Sequence, residues 1–132
     1  MMSASLAEAV MRRIFLDDTS PYSSSGFAVS LHTDVTQESG TTEISAPTYA
    51  RAIIGQGEGY WSIGARTVQN KLEIVFPASG LTDMWPAARS VGIWALDTSQ
   101  FLWSVPFDIG EYTVSTGDRL VIPSGGLVVG IG

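Results

Sequence analysis

The chain has 132 residues, 45% of them hydrophobic, and no cysteine. This length fits a single domain, residues 1–132, and the absence of cysteine excludes disulfides, thiolate zinc sites and cysteine nucleophiles. The net charge of -6, with only seven scattered basic residues, argues against nucleic-acid binding, because that affinity depends on Lys and Arg displacing counterions from phosphates.

Residues 1–25 are predicted to form an N-terminal helix and arm. Ser5 followed by Glu8 has the form of a capping box, which predicts a helix start. Apolar residues then recur at helical spacing, namely Leu6, Val10 and Ile14. The segment lacks the charge order of a signal peptide, and no apolar run reaches the length of a membrane-spanning helix. We therefore expect no membrane association.

Residues 26–132 alternate with a period of two between turn-rich stretches, which is typical of antiparallel strands. In the strand 27–32, His32 is expected on the solvent side. The stretch "VGIWAL" is apolar on both faces and is placed centrally in a sheet, with "DTSQ" folding it back onto "FLWSV". Leu72, Ile74 and Phe76 are expected to share one face of another strand, and "EYTV", "RLVI" and "LVVGI" to form short strands. The pattern favours a mainly β protein, an antiparallel β-sandwich of jelly-roll type with a short N-terminal α-helix.

Several patterns could carry chemistry, and each has a simpler structural explanation. Asp34 could orient the ring of His32, the single histidine, but no second His or Cys completes a common metal site. The stretch "GQGEG" resembles a phosphate loop, but a predicted strand follows it instead of a helix start. Three acidic pairs could serve a glycosidase but fall in predicted turns: Asp17 with Asp18, Glu38 with Glu43, and Glu111 with Asp118. We expect no catalytic residue, no metal and no cofactor.

Aromatic residues and one arginine suggest roles in packing or contact. Trp94 and Trp103 fall in apolar strands and are expected in the core. Trp85 lies before Pro86 in a loop without an evident intrachain partner, so both an interface role and loop packing stay open. In "SAPTYARAII" the planar head of Arg51 is expected to stack on an aromatic ring or fork onto a carboxylate, a structural role.

Seven motifs in fixed order cover nearly the full length: "IFLDD", "VSLHTD", "YAR" at 49–51, "IVFP", the loop of Trp85, "VGIWALDT" and "STGDRLVIPSGGLVV". In this order the chain resembles a family of small virion structural proteins of tailed bacteriophages, described as tail-fibre-like or as capsid decoration (cement) proteins. Within that family "YAR" is similar to a signature of the β-fold, carried here by Tyr49 and Arg51.

The resemblance implies a non-enzymatic protein on the outer capsid surface of the virion, made in the host cytoplasm. Its partners would be the major capsid protein, whose subunits it bridges, and further copies of itself, with a trimer favoured over a dimer. The alternative is a tail, baseplate or tail-fibre component, with carbohydrate binding as a role open to it; an acid–base hydrolase is a third reading. The expected contact surfaces are the N-terminal segment, the loop 32–47 and the Trp85 loop, with these candidate residues: Leu6, Val10, Ile14, His32, Asp34, Trp85 and Pro86.

Overall fold

The computed structural model describes residues 3–16, 26–34, 40–64, 66–80, 84–96, 98–107 and 110–130. A helix, α1 (Ala4–Met11), runs directly into a π-helical segment (Arg12–Leu16). The strands in the described ranges are β1 (Phe27–His32), β2 (Ala52–Ile54), β3 (Trp61–Ile63), β4 (Thr67–Asn70), β5 (Ile74–Val75), β6 (Ser90–Ala95), β7 (Phe101–Pro106), β8 (Val121–Ile122) and β9 (Val128–Gly130).

The strands form three antiparallel sheets with the orders β2-β1-β6-β7, β3-β4-β9 and β5-β8. The prediction of a mainly β protein with antiparallel sheets and one short N-terminal helix is therefore confirmed. The jelly-roll arrangement of the sheets stays a prediction. Among the described residues, no helix is long and apolar enough to cross a membrane.

The first sheet has β1 and β6 at its centre, paired in register from Phe27 with Ala95 to His32 with Ser90. The central position predicted for "VGIWAL" is confirmed, and "FLWSV" pairs with it as β7; Asp97 of the predicted turn lies outside the described residues. All six residues of β1 are buried. The solvent-side position expected for His32 is therefore wrong, because another segment of the chain covers the second face of this sheet.

The helix begins two residues earlier than predicted and faces the core with a different stripe. Ser3, not Ser5, is the N-cap, and its Oγ accepts a hydrogen bond from the Leu6 amide at 3.2 Å. The buried helix residues are Ala7, Met11 and Phe15. Leu6 is 53% exposed instead, because the space beneath the helix is filled by the rings and side chains of the stripe one position along, in which Phe15 packs on Phe27 and Trp61.

Phe15 is the main contact between the N-terminal segment and the sheets. Its ring centre lies 4.9 Å from that of Phe27, 4.7 Å from that of Trp61 and 5.4 Å from that of Trp103. Tilted and stacked rings at these distances add to the area that they bury. The helix is therefore an integral part of the core, joining the first and second sheets.

The "GQGEG" stretch caps the end of the π-helical segment. Gln56 Nε2 donates to the Ile14 carbonyl at 2.8 Å, and the Gly57 amide donates to the Phe15 carbonyl at 2.8 Å. These bonds satisfy carbonyls that a helix end leaves without intrahelical partners. Gly57 has a φ of +115°, which a residue with a side chain rarely adopts. The glycines thus form the turn expected in place of a phosphate loop.

Two smaller strand predictions differ from the structure. Ile74 and Phe76 are buried as expected, but Leu72 is 52% exposed in a bend before the two-residue strand β5. "EYTV" forms no strand: Tyr112 makes a single antiparallel bridge with Ala88. Whether such a short segment forms a strand depends on the neighbouring strands available for pairing, and the local alternation of apolar residues does not specify those neighbours.

Candidate contact surface and buried polar network

The helix presents a second apolar stripe to solvent, beside the one that enters the core. We define this helix surface as Leu6, Ala9, Val10, Arg13 and Ile14. Leu6, Ala9 and Arg13 are exposed, whereas Val10 and Ile14 are half-buried. Residues 9, 10, 13 and 14 line one open groove. Three of the predicted contact residues, Leu6, Val10 and Ile14, therefore lie together on one surface.

Basic side chains flank this helix surface. Arg12 follows on the same turn and pairs with Glu8 at 3.3 Å, both side chains being about half exposed. Lys71 Nζ donates to the Glu58 carbonyl at 2.7 Å, and Arg12, Glu58 and Lys71 line one depression. Three cations, Arg12, Arg13 and Lys71, thus lie near the apolar stripe together with two carboxylates, Glu8 and Glu58, a small local excess of positive charge in a chain whose net charge is -6.

The second site is a polar network on the outer face of the first sheet. Residues 40–43, here called the strap, run antiparallel to the end of β1: the Thr33 amide donates to the Thr42 carbonyl at 3.1 Å, and the Ile44 amide donates to the Leu31 carbonyl at 2.9 Å. The Ile44 side chain is buried in the core. The buried side chain of Ile44 therefore anchors the strap to the core at the end of residues 40–43.

Glu43 links the strap to Tyr49 and Arg51, which lie just before β2. Arg51 forks onto it, with Nε donating to Oε2 at 2.9 Å and Nη2 donating to Oε1 at 2.8 Å. The Tyr49 hydroxyl donates to Glu43 Oε2 at 2.7 Å and accepts from the Leu31 amide at 3.1 Å. Arg51 Cζ also lies 3.9 Å from the centre of the Trp94 ring. Arg51 thus makes both contacts expected of it, the fork and the aromatic stack.

Beneath the strap, a chain of hydrogen bonds joins half-buried Trp94 and Thr42 through the fully buried Ser30 and His32. Trp94 Nε1 donates to Ser30 Oγ at 2.7 Å, and Ser30 Oγ makes a short hydrogen bond with His32 Nε2. The other ring nitrogen, Nδ1, lies 3.3 Å from Thr42 Oγ1. The indole can only donate, so Ser30 Oγ accepts from Trp94, and the serine hydroxyl can itself donate to Nε2 or to the Gly92 carbonyl at 3.4 Å. In either tautomer a neutral imidazole has one donor and one acceptor nitrogen for Ser30 and Thr42.

Glycines make room for the network. A Cβ on Gly92 would lie 2.5 Å from both His32 Nε2 and Ser30 Oγ. A Cβ on Gly40, whose φ is +73°, would lie 2.4 Å from the Trp94 ring. Real Cβ atoms do not approach this closely, so the two glycines permit the strap and the sheet to meet.

Burial and the neighbouring charges set the protonation states. Burial lowers the pKa of His32 to about 4, with Glu43 opposing that shift and Arg51 adding to it. Burial alone would raise the pKa of Glu43, but the hydrogen bonds from Arg51 and Tyr49 outweigh it and lower that pKa. Burial and the bond to Glu43 raise the pKa of Tyr49. At neutral pH the network therefore holds a neutral His32 between a carboxylate and a guanidinium.

The Ser30–His32 pair has the contacts of an activated nucleophile but not the access of one. Both side chains are fully buried, and His32 Nδ1 faces a threonine hydroxyl instead of the carboxylate that orients a catalytic base. Ser30 Oγ already accepts from Trp94. The geometry favours a structural role for the pair.

Trp85 has intrachain partners that the sequence did not reveal. It is 1% exposed, its Nε1 donates to Thr48 Oγ1 at 3.0 Å, and its ring meets that of Tyr49 edge-on at 5.3 Å. The suggestion that Trp85 is a contact residue is therefore not supported; its ring packs in the core. The candidates Asp34 and Pro86 are exposed, and His32 is enclosed beneath the strap.

Sequence reasoning missed Glu43 as the centre of the network and assigned it to an ordinary turn. An available signal was the proximity of "TTEIS" to "TYAR", which brings one carboxylate within eight residues of Arg51. Of the other acidic pairs, Glu111 lies 3.7 Å from Arg89 in an exposed ion pair, whereas Asp17, Asp18 and Glu38 lie outside the described residues. Among the residues that the structure describes, no group of three or more His, Asp or Glu side chains could hold a metal ion.

The sequence matches the family described as Podophage GP4 fiber I protein gp80 over residues 1–130. The chain belongs to this family. No curated protein matches the sequence. Membership in a fibre-named podophage family identifies a phage virion structural protein, and it supports a location in the virion. The resemblance to tailed-phage structural proteins predicted from the seven motifs is confirmed at this level.

Proposed function

We propose that this chain is a non-enzymatic subunit of an external fibre of a podophage virion, held in place by contacts between proteins. The match to the fibre family over 1–130 carries the proposal. The compact core supports it, because Trp61 and Trp85 are buried and the Glu43–Arg51 pair joins the strap to the start of β2, all of which are structural roles. An enzyme would need convergent reactive groups with access to substrate.

The helix surface is the contact that we propose for attachment. Leu6 is 53% exposed and stands beside half-buried Val10 and Ile14, so a partner would remove a continuous apolar stripe from water. Beside it, the three cations Arg12, Arg13 and Lys71 outnumber the two carboxylates Glu8 and Glu58, which favours a partner surface that carries carboxylates. Further copies of this acidic chain meet that requirement, which is consistent with a homo-oligomer, a trimer being favoured over a dimer.

Capsid decoration is the second candidate, and the same helix surface supports it. An apolar stripe with a basic margin could bind at junctions of the major capsid protein as well as within a fibre. The two candidates differ in copy number and in location. Carbohydrate binding is not part of the proposal, because no tryptophan is exposed: Trp61 and Trp85 are buried, and Trp94 and Trp103 are half-buried.

The test is to separate heads from tails of purified particles and to quantify this chain against the major capsid protein by mass spectrometry. A fibre subunit is expected with the tails or the tail vertex, in a small number of copies per particle. Copies in the hundreds in the head fraction would overturn the fibre assignment and support capsid decoration. Absence from purified particles would contradict both.

A pair of variants tests the helix surface. Leu6→Ser is expected to lower incorporation into particles at least tenfold while the purified protein keeps its unfolding midpoint, because Leu6 does not enter the core. Leu96→Ser is the matched control, since Leu96 is also an exposed leucine, 37% accessible, but lies at the end of β6. Equal incorporation of the two variants would contradict a role for the helix surface.

A further inference from the structure

The strap is the feature that the proposed function does not use. Its contacts with the outer face of the first sheet include the fork of Arg51 onto Glu43, the Thr42 hydroxyl on His32, the Thr33 amide on the Thr42 carbonyl, and Gly40 against Trp94 and Phe101. By contrast, Ile44 is anchored in the core and hydrogen-bonded to Leu31. The strap is thus held mainly by hydrogen bonds and an ion pair, and it adjoins an apolar pivot at Ile44.

Those polar contacts require particular protonation states. The fork requires Glu43 as a carboxylate, and a neutral His32 offers one donor and one acceptor nitrogen to Ser30 and Thr42. A protonated His32 would make both nitrogens donors and place a second cation near Arg51. Among the described residues, the titratable groups acting on His32 are Glu43 and Arg51, and those acting on Glu43 are Arg51, Tyr49 and His32.

We propose that residues 40–43 are an acid-released latch, which opens about Ile44 and uncovers His32 and Trp94 while the first sheet stays folded. Opening returns the ring of His32 to water, where an imidazole takes up a proton near pH 6.5. The closed state keeps that ring neutral down to about pH 4. Between about pH 6.5 and pH 4, opening of the strap is therefore coupled to the uptake of one proton by His32. The equilibrium constant for opening rises by up to about tenfold for each unit by which the pH falls. The proposal does not depend on the position of the chain in the virion.

The test is NMR on the wild-type chain from pH 7 to pH 4, and the single histidine makes its ring signals unambiguous. The Thr33 amide reports on the strap because it bonds to Thr42, and the Ile44 amide reports on the anchor because it bonds to Leu31. After correction for intrinsic exchange, the protection of Thr33 is expected to fall by up to about a hundredfold between pH 7 and pH 4.5, with Ile44 unchanged. Equal losses at both amides, or no loss at Thr33, would overturn the latch.

A pair of variants tests the same latch at constant pH. Glu43→Gln removes the carboxylate of the fork, so protection of Thr33 is expected to be at least tenfold below wild type already at pH 7. Glu111→Gln is the control, because Glu111 pairs with Arg89 at 3.7 Å with both side chains about half exposed. A Glu43→Gln protein with wild-type protection at Thr33 would overturn the proposal, as would equal losses in both variants.

Discussion

The guanidinium of Arg51 lies over the ring of Trp94, with 3.9 Å between Cζ and the ring centre, while its nitrogens fork onto Glu43. An arginine that interrupts an apolar stretch of sequence thereby joins the strap, the start of β2 and the centre of the first sheet. The cation serves three separate segments because its planar head has a face for stacking and an edge for hydrogen bonds.

Replacing Arg51 by Lys should destabilise the protein although the charge is kept. The ammonium cannot form the two-bond fork and stack at the same time, so we expect the free energy of unfolding to fall by about 1–2 kcal/mol. Urea unfolding at pH 7 measures this change. Arg89→Lys is the control, because exposed pairs contribute roughly 0–1 kcal/mol; equal losses in the two variants would contradict the structural role of Arg51.

Replacing Gly92 by Ala should be among the more damaging single-methyl changes in this chain. The new Cβ would meet His32 Nε2 and Ser30 Oγ at 2.5 Å and Phe101 Cε1 at 2.8 Å, and we expect a loss of about 1–3 kcal/mol from overpacking. Gly59→Ala is the control, since no atom lies within 4 Å of a Cβ there. Calorimetry on both variants distinguishes steric crowding from a general effect of removing glycine.

Stability should depend on pH through His32. Its pKa in the folded protein is lowered to about 4, below the unfolded value near 6.5, so the unfolded chain binds more protons between those values. The free energy of unfolding therefore falls as pH falls through this window, by at most about 3 kcal/mol. His32→Gln should lose this part of the pH dependence. Wild type and variant with the same slope between pH 6.5 and 4 would show that His32 is not the source.

Below that window Glu43 adds a second loss of the same sign. Its pKa is lowered in the folded protein, so its stabilising contribution is present above the unfolded value and disappears as the carboxylate is protonated in acid. A Glu43→Gln variant should show a shallower fall in the unfolding free energy below about pH 4.5 than wild type does. An unchanged slope in that range would contradict the fork as a source of acid sensitivity.

The helix should be sensitive at Phe15 and insensitive at Leu6. Phe15→Ala removes a fully buried ring that contacts Phe27 and Trp61, and we expect a loss of about 3–5 kcal/mol. Leu6→Ala should change the unfolding free energy by less than about 0.5 kcal/mol. Thermal unfolding of the two variants checks which helix stripe faces the core, and the reverse order would contradict the observed register.

The period of apolar residues predicted much of the fold correctly. The alternation in "FAVSLH" predicted one strand, and the two-faced apolarity of "VGIWAL" predicted a second strand in a central position, because such residues must be covered on both sides. Periodicity failed where two adjacent stripes were both apolar, as in α1: Leu6, Val10 and Ile14 match helical spacing as well as Ala7, Met11 and Phe15 do. Only the volumes available beneath the helix select the second stripe.

The candidate site was harder to predict because its members are distant in sequence. Arg51 was expected to find an aromatic face or a carboxylate, but the sequence could not choose Trp94 and Glu43 among the available partners. Burial of His32 depends on residues 40–43 crossing the sheet, and burial of Trp85 depends on Thr48 and Tyr49. Such contacts follow from tertiary packing, which local pattern does not contain.

The sequence by itself determined the local conformations: a short N-terminal helix, an antiparallel β domain and glycine-bearing turns, because periodicity and turn chemistry act between near neighbours in the chain. Only the tertiary structure decided which apolar stripe the helix buries, that "GQGEG" caps that helix, and that His32 lies neutral beneath a strap. Burial and electrostatics depend on what lies across a face or above a ring, and those neighbours are brought together only when the sheets and the strap pack.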